Sequence, residues 1–268
     1  MCKSILLNDR PEKFDGEWLS VSKVKTFKDC QLKFRYAYIE KLPRKTWDFH
    51  IYGKFAHAIL EYFHKAIIDG DTRPHNKVMT DAFNQACLEY KSQLFPGQKK
   101  EIWTMMFAYL QLLAKHKVNV VGVEDNFYID IDGKVLLNGF IDRVQIDDDG
   151  VLHVADYKTS KSKSFLKNDF MQLKTYAFVK CLEDPKLEKI RTSYIMLRHK
   201  FEFITKEYDR AEIMKMEKDF LKYADEIQQE KLFRSSTSKL CEYCDYLEVC
   251  EDGKRSLGLS KVYGKVDW

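Results

Sequence analysis

The chain has 268 residues, enough for one large domain or two small ones with a buried core. Hydrophobic residues make up 45% of it, yet no apolar run approaches the roughly 20 residues of a membrane-spanning helix, which excludes an integral membrane protein of the helical kind. The net charge of +4 is too mild to identify a nucleic-acid partner by itself. The N-terminus turns to charged residues before a signal-peptide core forms, so we expect a cytoplasmic protein, or one of a host cytoplasm if the gene is viral.

The first part of the chain has helical periodicity. Residues 22–41 are predicted to form a helix that is capped by Ser22. Its apolar residues recur at helical spacing, and lysines occupy the other face. A second helix is predicted over 53–68, and two more fill 76–118.

From Val123 the apolar period changes to two. Runs at 123–131, 135–146 and 151–158 are joined by Asp132-Gly133 and by an acidic turn ending at Gly150, which predicts an antiparallel meander of three strands. The later elements predicted are a helix over 168–182, strands over 192–197 and 201–208, and a long charged helix over 209–231. This order predicts an α+β fold class with a mixed sheet flanked by helices.

Two acidic residues and a lysine occupy neighbouring predicted strands. Asp142 interrupts an apolar strand, and Asp156 and Lys158 project to the same side of the next one because strand side chains alternate. Two converging carboxylates repel each other unless a cation neutralises them, and oxygen ligands suit Mg or Mn. These residues favour metal-assisted phosphodiester hydrolysis, with exposed acids paired to basic neighbours as the alternative.

Two helical pairs lie on either side of this segment in the sequence. His57 and Glu61 share a helix face, and His57 is a candidate metal ligand. Gln172 and Tyr176 share a face of a later helix, from which they can reach a phosphate or fix Lys158.

In its order of motifs the chain resembles the RecB-like branch of the PD-(D/E)XK nucleases, which includes the RecB and AddB nuclease domains and the CRISPR adaptation nucleases. The motifs are a Ser-x-x-x-x-x-x-x-Cys helix, Gly-x-x-x-His-x-x-Leu-Glu, Gly-Phe-Ile-Asp-Arg, Asp-Tyr-Lys-Thr and Gln-x-x-x-Tyr-Ala, and the resemblance runs from Ser22 to Cys250. Ile141 stands where the family's name pattern has a proline.

The resemblance implies a fold, a site and a domain. The fold would be a restriction-endonuclease-like core, and residues 1–268 would form one nuclease domain. Within it, a helical part would cover about 20–120, a catalytic core about 121–208, and a C-terminal helix and cysteine region about 209–268. The implied metal ligands are His57, Asp142, Asp156 and the Tyr157 carbonyl. The implied catalytic residues are Asp142, Asp156 and Lys158, with Gln172 and Tyr176 in support.

Three cysteines group near the C-terminus. Cys241, Cys244 and Cys250 leave a four-coordinate centre one thiolate short, and Cys30 is the candidate for the fourth. The resemblance points to the same residue, because some RecB-like nucleases hold a [4Fe-4S] cluster on a one-plus-three arrangement; zinc is the competing interpretation. The remaining thiols are expected to be free, namely Cys2, Cys87 and Cys181.

Basic residues follow the predicted catalytic strand. Lys161 and Lys163 come directly after it, where a phosphate backbone must lie, and we expect them to bind DNA. The resemblance implies an exonuclease that would prefer single strands or ends and would act in repair, recombination, phage replication or CRISPR adaptation. Its expected partner is DNA. The protein would act as a homo-oligomer or within a repair or adaptation complex. The alternatives are a catalytically inactive nucleic-acid-binding subunit and a zinc-stabilised interaction protein.

Overall fold

The computed structural model describes residues 3–90, 93–163, 166 and 170–259. The helices of these residues are α1 (Val21–Asp29), α2 (Gln31–Phe34), α3 (Asp48–Ile68), α4 (His75–Glu89), α5 (Pro96–Leu113), α6 (Met171–Glu183), α7 (Arg210–Ile213), α8 (Met216–Gln229) and α9 (Glu251–Ser256). The strands are β1 (Ser4–Leu7), β2 (Glu17–Leu19), β3 (Asn119–Ile131), β4 (Val135–Ile146), β5 (Leu152–Lys158), β6 (Lys189–Met196) and β7 (Glu202–Asp209). Within the described part of the chain, no helix is long and apolar enough to cross a membrane.

The strands form one mixed sheet in the order β1-β3-β4-β5-β6-β7, with β2 beside β4. β3 pairs antiparallel with β4 and β4 antiparallel with β5, as predicted for the meander. β5 runs parallel to β6, and β6 antiparallel to β7. This mixed sheet and its flanking helices confirm the predicted α+β fold class.

The turn between β3 and β4 fixes the register of the meander. Asp132 and Gly133 both have left-handed φ angles, of 57° and 67°, as the predicted hairpin chemistry requires. The Asp130 carboxylate accepts a hydrogen bond from the Gly133 amide at 2.8 Å, which holds the turn. Residues equidistant from Gly133 therefore lie opposite each other from Ile131–Val135 to Gly122–Val144, beyond which an irregularity between Val120 and Gly122 shifts the pairing by one residue.

The chain divides into two compact units. Unit 1 comprises the residues up to Leu19 together with Trp47–Ala224, and unit 2 comprises Ser20–Thr46 together with the residues from Asp225 onward. The main core of unit 1 packs α3, α4 and α5 against side chains of β5 and β6. The three successive segments predicted from the sequence do not follow this division, and the single-domain prediction over 1–268 stays a prediction.

The first helix differs from its prediction. It begins at Val21 and is capped by Ser20, whose hydroxyl accepts from the Lys23 amide at 3.2 Å, rather than by Ser22. It also stops at Cys30, which has an extended backbone, and the Cys30 Sγ accepts from the Lys33 amide as the cap of α2. A π-helical turn over Arg35–Ile39 follows, so the predicted helix over 22–41 is three pieces.

Other boundaries also shift. The helix predicted over 209–231 is split into α7 and α8, because i→i+3 bonds such as Lys215 N to Glu212 O tighten the backbone between them. The helix predicted from residue 168 begins at Met171, and 168–169 lie outside the described residues. β1 and β2 were not predicted, since runs of three or four residues are too short to show a period.

Candidate active site

The site of unit 1 is built where β4 and β5 separate. Their backbone pairing ends at Arg143–Ala155, so the next residues in register, Asp142 and Asp156, lie just beyond the last bonded pair. The Tyr157 amide therefore needs another acceptor, and it donates to Asp142 Oδ2 at 2.9 Å. The Asp142 carboxylate thus fills the opening between the two strands.

His57 reaches the same point from α3. Its Nδ1 lies 3.3 Å from Asp142 Oδ2, and its Nε2 lies 2.9 Å from the Tyr157 carbonyl oxygen. The helix runs close to the end of β5, since a Cβ on Gly53 would lie 3.4 Å from Thr159 Oγ1. The side chains of His57 and Asp142 and the Tyr157 carbonyl, three of the four predicted metal ligands, therefore converge.

Glu124 belongs to this group and was missed in the sequence. One candidate ligand atom each from His57, Glu124 and Asp142 lie within 4.8 Å of one another. In β3, Glu124 stands between residues paired with Arg143 and Ile141, hence across from Asp142. Its φ of +48° is left-handed, a strained conformation for a residue with a Cβ. The signal in the sequence is the hairpin itself, because Glu124 and Asp142 are equally far from Gly133 (133 − 124 = 142 − 133 = 9).

Asp156 has a different set of contacts. Its Oδ2 lies 2.5 Å from Lys158 Nζ, and its Oδ1 accepts from the Tyr176 hydroxyl at 3.5 Å. Lys158 Nζ also donates to Gln172 Oε1 at 3.1 Å, and Gln172 Nε2 donates to the Tyr176 oxygen at 2.7 Å. The four side chains form a closed ring of polar contacts that fixes the ammonium beside the carboxylate. All four belong to the predicted catalytic set.

The carboxylates of the site are held in an unfavourable electrostatic setting. Burial, followed by the charge of Asp156, raises the pKa of Asp142 to about 7, and His57 opposes the shift. Burial also raises the pKa of Glu124. Adjacent buried acids of this kind are stabilised in their charged form by a bound cation, and a donor set of one imidazole and several oxygens suits a divalent ion.

A buried polar network holds the residues that adjoin the site. Arg143, the neighbour of Asp142, is 1% exposed, and its Nη1 donates to the hydroxyls of Tyr109 at 3.0 Å and Tyr157 at 3.4 Å. The Tyr109 oxygen also lies 2.7 Å from His64 Nε2. These contacts anchor the Tyr157 side chain, and with it the carbonyl that faces His57.

The two lysines predicted to bind DNA follow β5. Lys163 Nζ lies 2.7 Å from a carboxylate oxygen of Glu202, with both side chains at least a third exposed. The Lys161 carbonyl accepts from His199 Nε2 at 3.2 Å, and the Lys161 side chain is exposed. The loop is thus tied to the β6–β7 connection while its charges face solvent.

The predicted cluster cysteines all lie in unit 2, in its two chain segments. Backbone amides donate to three of the sulfurs: Lys33 and Ser236 to Cys30 at 3.4 and 3.5 Å, Ser238 to Cys241 at 3.4 Å, and Gly253 to Cys250 at 3.3 Å. Amide donors of this kind stabilise the thiolate form that metals require.

The Cys250 sulfur has two of the other cysteines near it. Cys250 lies near enough to Cys30 and Cys241 for their charges to raise its thiol pKa further, after burial. Of the predicted free thiols, Cys87 is partly buried and Cys181 buried, while Cys2 lies outside the described residues.

Comparisons with known proteins agree with this geometry. Residues 18–251 match the model of the PD-(D/E)XK nuclease superfamily. The chain is 25% identical over 155 residues to an ATP-dependent helicase/deoxyribonuclease subunit of Streptococcus uberis, and 26% identical over 176 residues to the protein of the same name from Streptococcus pyogenes.

These matches cover 54% and 59% of this chain but only 14% and 16% of the relatives' own length. The fold resembles that of a candidate exonuclease from Eubacterium rectale, with a TM-score of 0.50 at 10% identity, over 94% of this chain and 91% of the other. At that identity the likeness concerns the fold alone.

Proposed function

The chain belongs to the PD-(D/E)XK nuclease superfamily, and from that premise we propose that it is a metal-dependent deoxyribonuclease, an exonuclease on single-stranded DNA or DNA ends. One observation carries the proposal. The metal-ligand group of His57, Glu124 and Asp142 adjoins the Asp156–Lys158 ion pair, at the point where β4 and β5 separate. The superfamily typically uses Mg or Mn, and the donor set fits either ion.

In this proposal His57, Glu124, Asp142 and the Tyr157 carbonyl hold the ion, with Asp156 as a further ligand. His57 Nε2 lies 2.9 Å from the Tyr157 oxygen, so the imidazole and the carbonyl face the same point and would hold the ion together. A bound Mg or Mn ion supplies Lewis acidity toward the scissile phosphate and lowers the pKa of a bound water.

Lys158 supplies the remaining chemistry. Its ammonium, fixed by Asp156 and Gln172, orients the attacking water or stabilises the negative charge that builds on the phosphoryl oxygens. Tyr176 holds both of these partners through its hydroxyl and thereby fixes their positions. The proposal therefore gives Gln172 and Tyr176 a positioning role.

For unit 2 we propose a [4Fe-4S] cluster on Cys30, Cys241, Cys244 and Cys250. Four thiolates are a donor set that suits a [4Fe-4S] cluster and equally a structural zinc ion. The preference for iron–sulfur comes from the one-plus-three arrangement of the cysteines in the sequence, on which some RecB-like nucleases hold a [4Fe-4S] cluster. The amide donors onto the sulfurs suit either centre.

The wider role is proposed from the relatives. Their names describe a helicase/deoxyribonuclease subunit, which supports DNA as substrate and a multi-subunit complex as a setting. Repair, recombination, phage replication and CRISPR adaptation all need such an activity.

The proposal is tested by incubating the purified protein with end-labelled single- and double-stranded DNA in Mn, Mg or EDTA. We expect metal-dependent release of short products from single strands or ends, and none in EDTA. Binding without cleavage in either metal would favour the inactive nucleic-acid-binding subunit. Neither binding nor cleavage, in a protein containing stoichiometric zinc, would favour the interaction protein.

A further inference from the structure

One stretch of β4 next to the metal-ligand group is open along its edge. β2 pairs with residues 135–137 of β4, and β5 pairs with residues 143–146. Between them, the backbone of residues 138–142 pairs with β3 and with no other strand in the described part of the chain. The opening at which Asp142 meets Tyr157 therefore continues along β4 as far as Asn138.

An aromatic residue stands in the middle of this stretch. Phe140 is 53% exposed, whereas its neighbour Ile141 is fully buried. The buried side of the hairpin at this level is filled by Phe127, whose ring lies so close to Gly139 that a Cβ there would come within 2.8 Å of it. Phe140 therefore projects to the solvent side of the hairpin because the other side is closed.

The register connects Phe140 to the metal-ligand group. Phe140 lies opposite Asn126, which is also exposed, and the next pair on the same side is Asp142 opposite Glu124. Residues two apart in a strand are about 6.6–6.8 Å apart, so the ring lies one such step from the carboxylates. An exposed apolar ring, a neutral amide and two metal-binding acids thus form one patch.

The ring of Phe140 is available for stacking. None of the aromatic rings or cations in the described part of the chain contacts it, although many other aromatic side chains of this protein have such partners. A single exposed phenylalanine needs no explanation on an ordinary surface. Beside a site that holds a phosphate, its flat apolar face suits a nucleobase, which every unpaired nucleotide presents.

We propose that Phe140 stacks on an unpaired base of the strand whose phosphate lies at the metal-ligand group, and so makes the enzyme select single-stranded or frayed DNA over an intact duplex. The inference rests on the proposed nuclease function. In a duplex, both faces of each base are covered by its neighbours, so a ring reaches a base only where the strand is unpaired. Asn126 stands beside the ring with one amide group that both donates and accepts hydrogen bonds.

The test measures binding with calcium in place of Mg or Mn, so that the DNA stays intact. Oligonucleotides carry 2-aminopurine, whose fluorescence falls when it stacks, in single-stranded and duplex form. The variants are Phe140→Val, which keeps the preference for a strand but removes the ring, and Phe140→Trp, which keeps a ring. Phe107→Val is the matched control, because Phe107 is a similarly exposed phenylalanine on α5.

We expect Phe140→Val to lose on the order of tenfold in affinity for the single strand and to lose the fluorescence change, with duplex binding unaltered. Phe140→Trp and Phe107→Val should bind like the wild type. Equal single-strand affinity and equal fluorescence change in Phe140→Val and the wild type would overturn the inference. Should Phe140→Val fail to fold, Phe140→Trp decides, since its added tryptophan emission must change on binding the single strand and stay constant with the duplex.

The same experiment separates this inference from the proposed function. Cleavage by the wild type, together with an unchanged Phe140→Val, would refute the stacking role and leave the nuclease intact. A wild type that never cleaves in Mn or Mg, but binds single strands through Phe140, would refute the nuclease and keep the stacking role. Failure of the wild type to bind single strands, together with no cleavage of any DNA in Mn or Mg, would refute both.

Discussion

At the scale of single residues, the site separates two tasks between two acids. Asp142 bonds the Tyr157 amide and faces His57, whereas Asp156 is paired with Lys158 and Tyr176. The first acid is thereby placed among metal ligands, and the second fixes the ammonium. Replacing Asp142 and replacing Asp156 should therefore differ in their effects on metal binding and on turnover.

We predict that Asp156→Asn and Lys158→Met each lower the cleavage rate by about 10²–10³-fold, because the first removes the carboxylate that fixes the ammonium and the second removes the ammonium that acts on the charge developing in the transition state. DNA affinity should change only a few-fold, since most phosphate contacts remain. The measurement is single-turnover cleavage beside equilibrium binding in calcium. Lys174→Met is the control, because Lys174 is paired with Glu212 on the surface. Cleavage by Asp156→Asn at the wild-type rate would refute the assignment of the site.

Glu124→Gln tests the residue that the sequence did not reveal. The variant keeps the size of the side chain and removes its charge, so we expect the Mn concentration for half-maximal cleavage to rise at least about tenfold. Calorimetric Mn titration without DNA provides an activity-independent reading. Asp130→Asn is the control on the same strand, because an asparagine Oδ1 still accepts from the Gly133 amide. Unchanged Mn affinity would remove Glu124 from the metal-ligand group.

At the scale of secondary-structure elements, the turn between β4 and β5 is held by a second polar network. His153 Nδ1 lies 2.9 Å from Asp147 Oδ2, and its Nε2 lies 2.7 Å from Ser193 Oγ on β6. Ser193 and His153 are almost fully buried, so this Ser-His-Asp arrangement is closed to any substrate. Its role is to tie three strands together, since Ser193 also bonds Thr205 on β7.

This network predicts a stability that depends on pH. Burial, opposed by Asp147 and assisted by Arg143 and Arg191, lowers the pKa of His153 to about 4, below its ordinary 6.5. The unfolded chain therefore binds a proton between about pH 6.5 and 4 that the folded state does not, and stability falls as the pH falls through this window. The shift corresponds to a loss on the order of 2–3 kcal/mol by pH 4.

Urea unfolding at a series of pH values checks this prediction. His153→Gln should flatten part of the slope between pH 6.5 and 4, and the slope that remains includes buried His64, whose pKa is also lowered by burial. His116→Gln, at an exposed position, should leave the slope as in the wild type. Parallel slopes for the wild type and His153→Gln would mean that His153 titrates normally in the fold.

The loop after β5 gives a prediction about salt. The Lys163–Glu202 pair is exposed and therefore weak, so both lysines remain able to contact phosphates. Replacing Lys161 and Lys163 by alanine should weaken single-strand binding and reduce the slope of log affinity against log salt by about 1.4, at about 0.7 per lost phosphate contact. Alanines at Lys77 and Lys100, which are exposed on α4 and α5, form the control. An unaltered slope would make Lys161 and Lys163 ordinary surface residues.

At the scale of the whole molecule, two segments that are far apart in the chain, Ser20–Thr46 and the residues from Asp225 onward, belong to the same compact unit. Unit 2 contains Cys30 from one segment and Cys241, Cys244 and Cys250 from the other. A centre assembled from segments so distant in sequence does not exist in the unfolded chain, so its binding energy stabilises the folded state. The metal-ligand group of unit 1 uses none of these residues.

We expect the protein to be brown when purified without oxygen, with iron and sulfide present and little zinc. Cys30→Ala and Cys244→Ala should lose the colour and similar amounts of solubility, whereas Cys87→Ala and Cys181→Ala should keep it. Metal analysis, absorption spectra and thermal unfolding provide the measurements. A colourless protein with stoichiometric zinc would refute the iron–sulfur cluster, and an unaffected Cys30→Ala would remove Cys30 from the centre.

The sequence by itself determined the elements whose signals are local. Period-two apolar runs and the turn at Asp132-Gly133 predicted the β3–β4–β5 meander, and the order of motifs predicted the family. The convergence of Asp142 with Asp156 and Lys158 could also be predicted, because alternation along strands and pairing across a turn are local rules.

Only the tertiary structure decided the rest. The hairpin register places Glu124 opposite Asp142, but its backbone there is left-handed, which no local propensity favours. The break at Cys30 depends on its sulfur, which accepts amides both from the next helical turn and from Ser236, two hundred residues away in sequence. Contacts across such separations follow from packing and register rather than from neighbouring residues, and periodicity in the sequence carries no record of them.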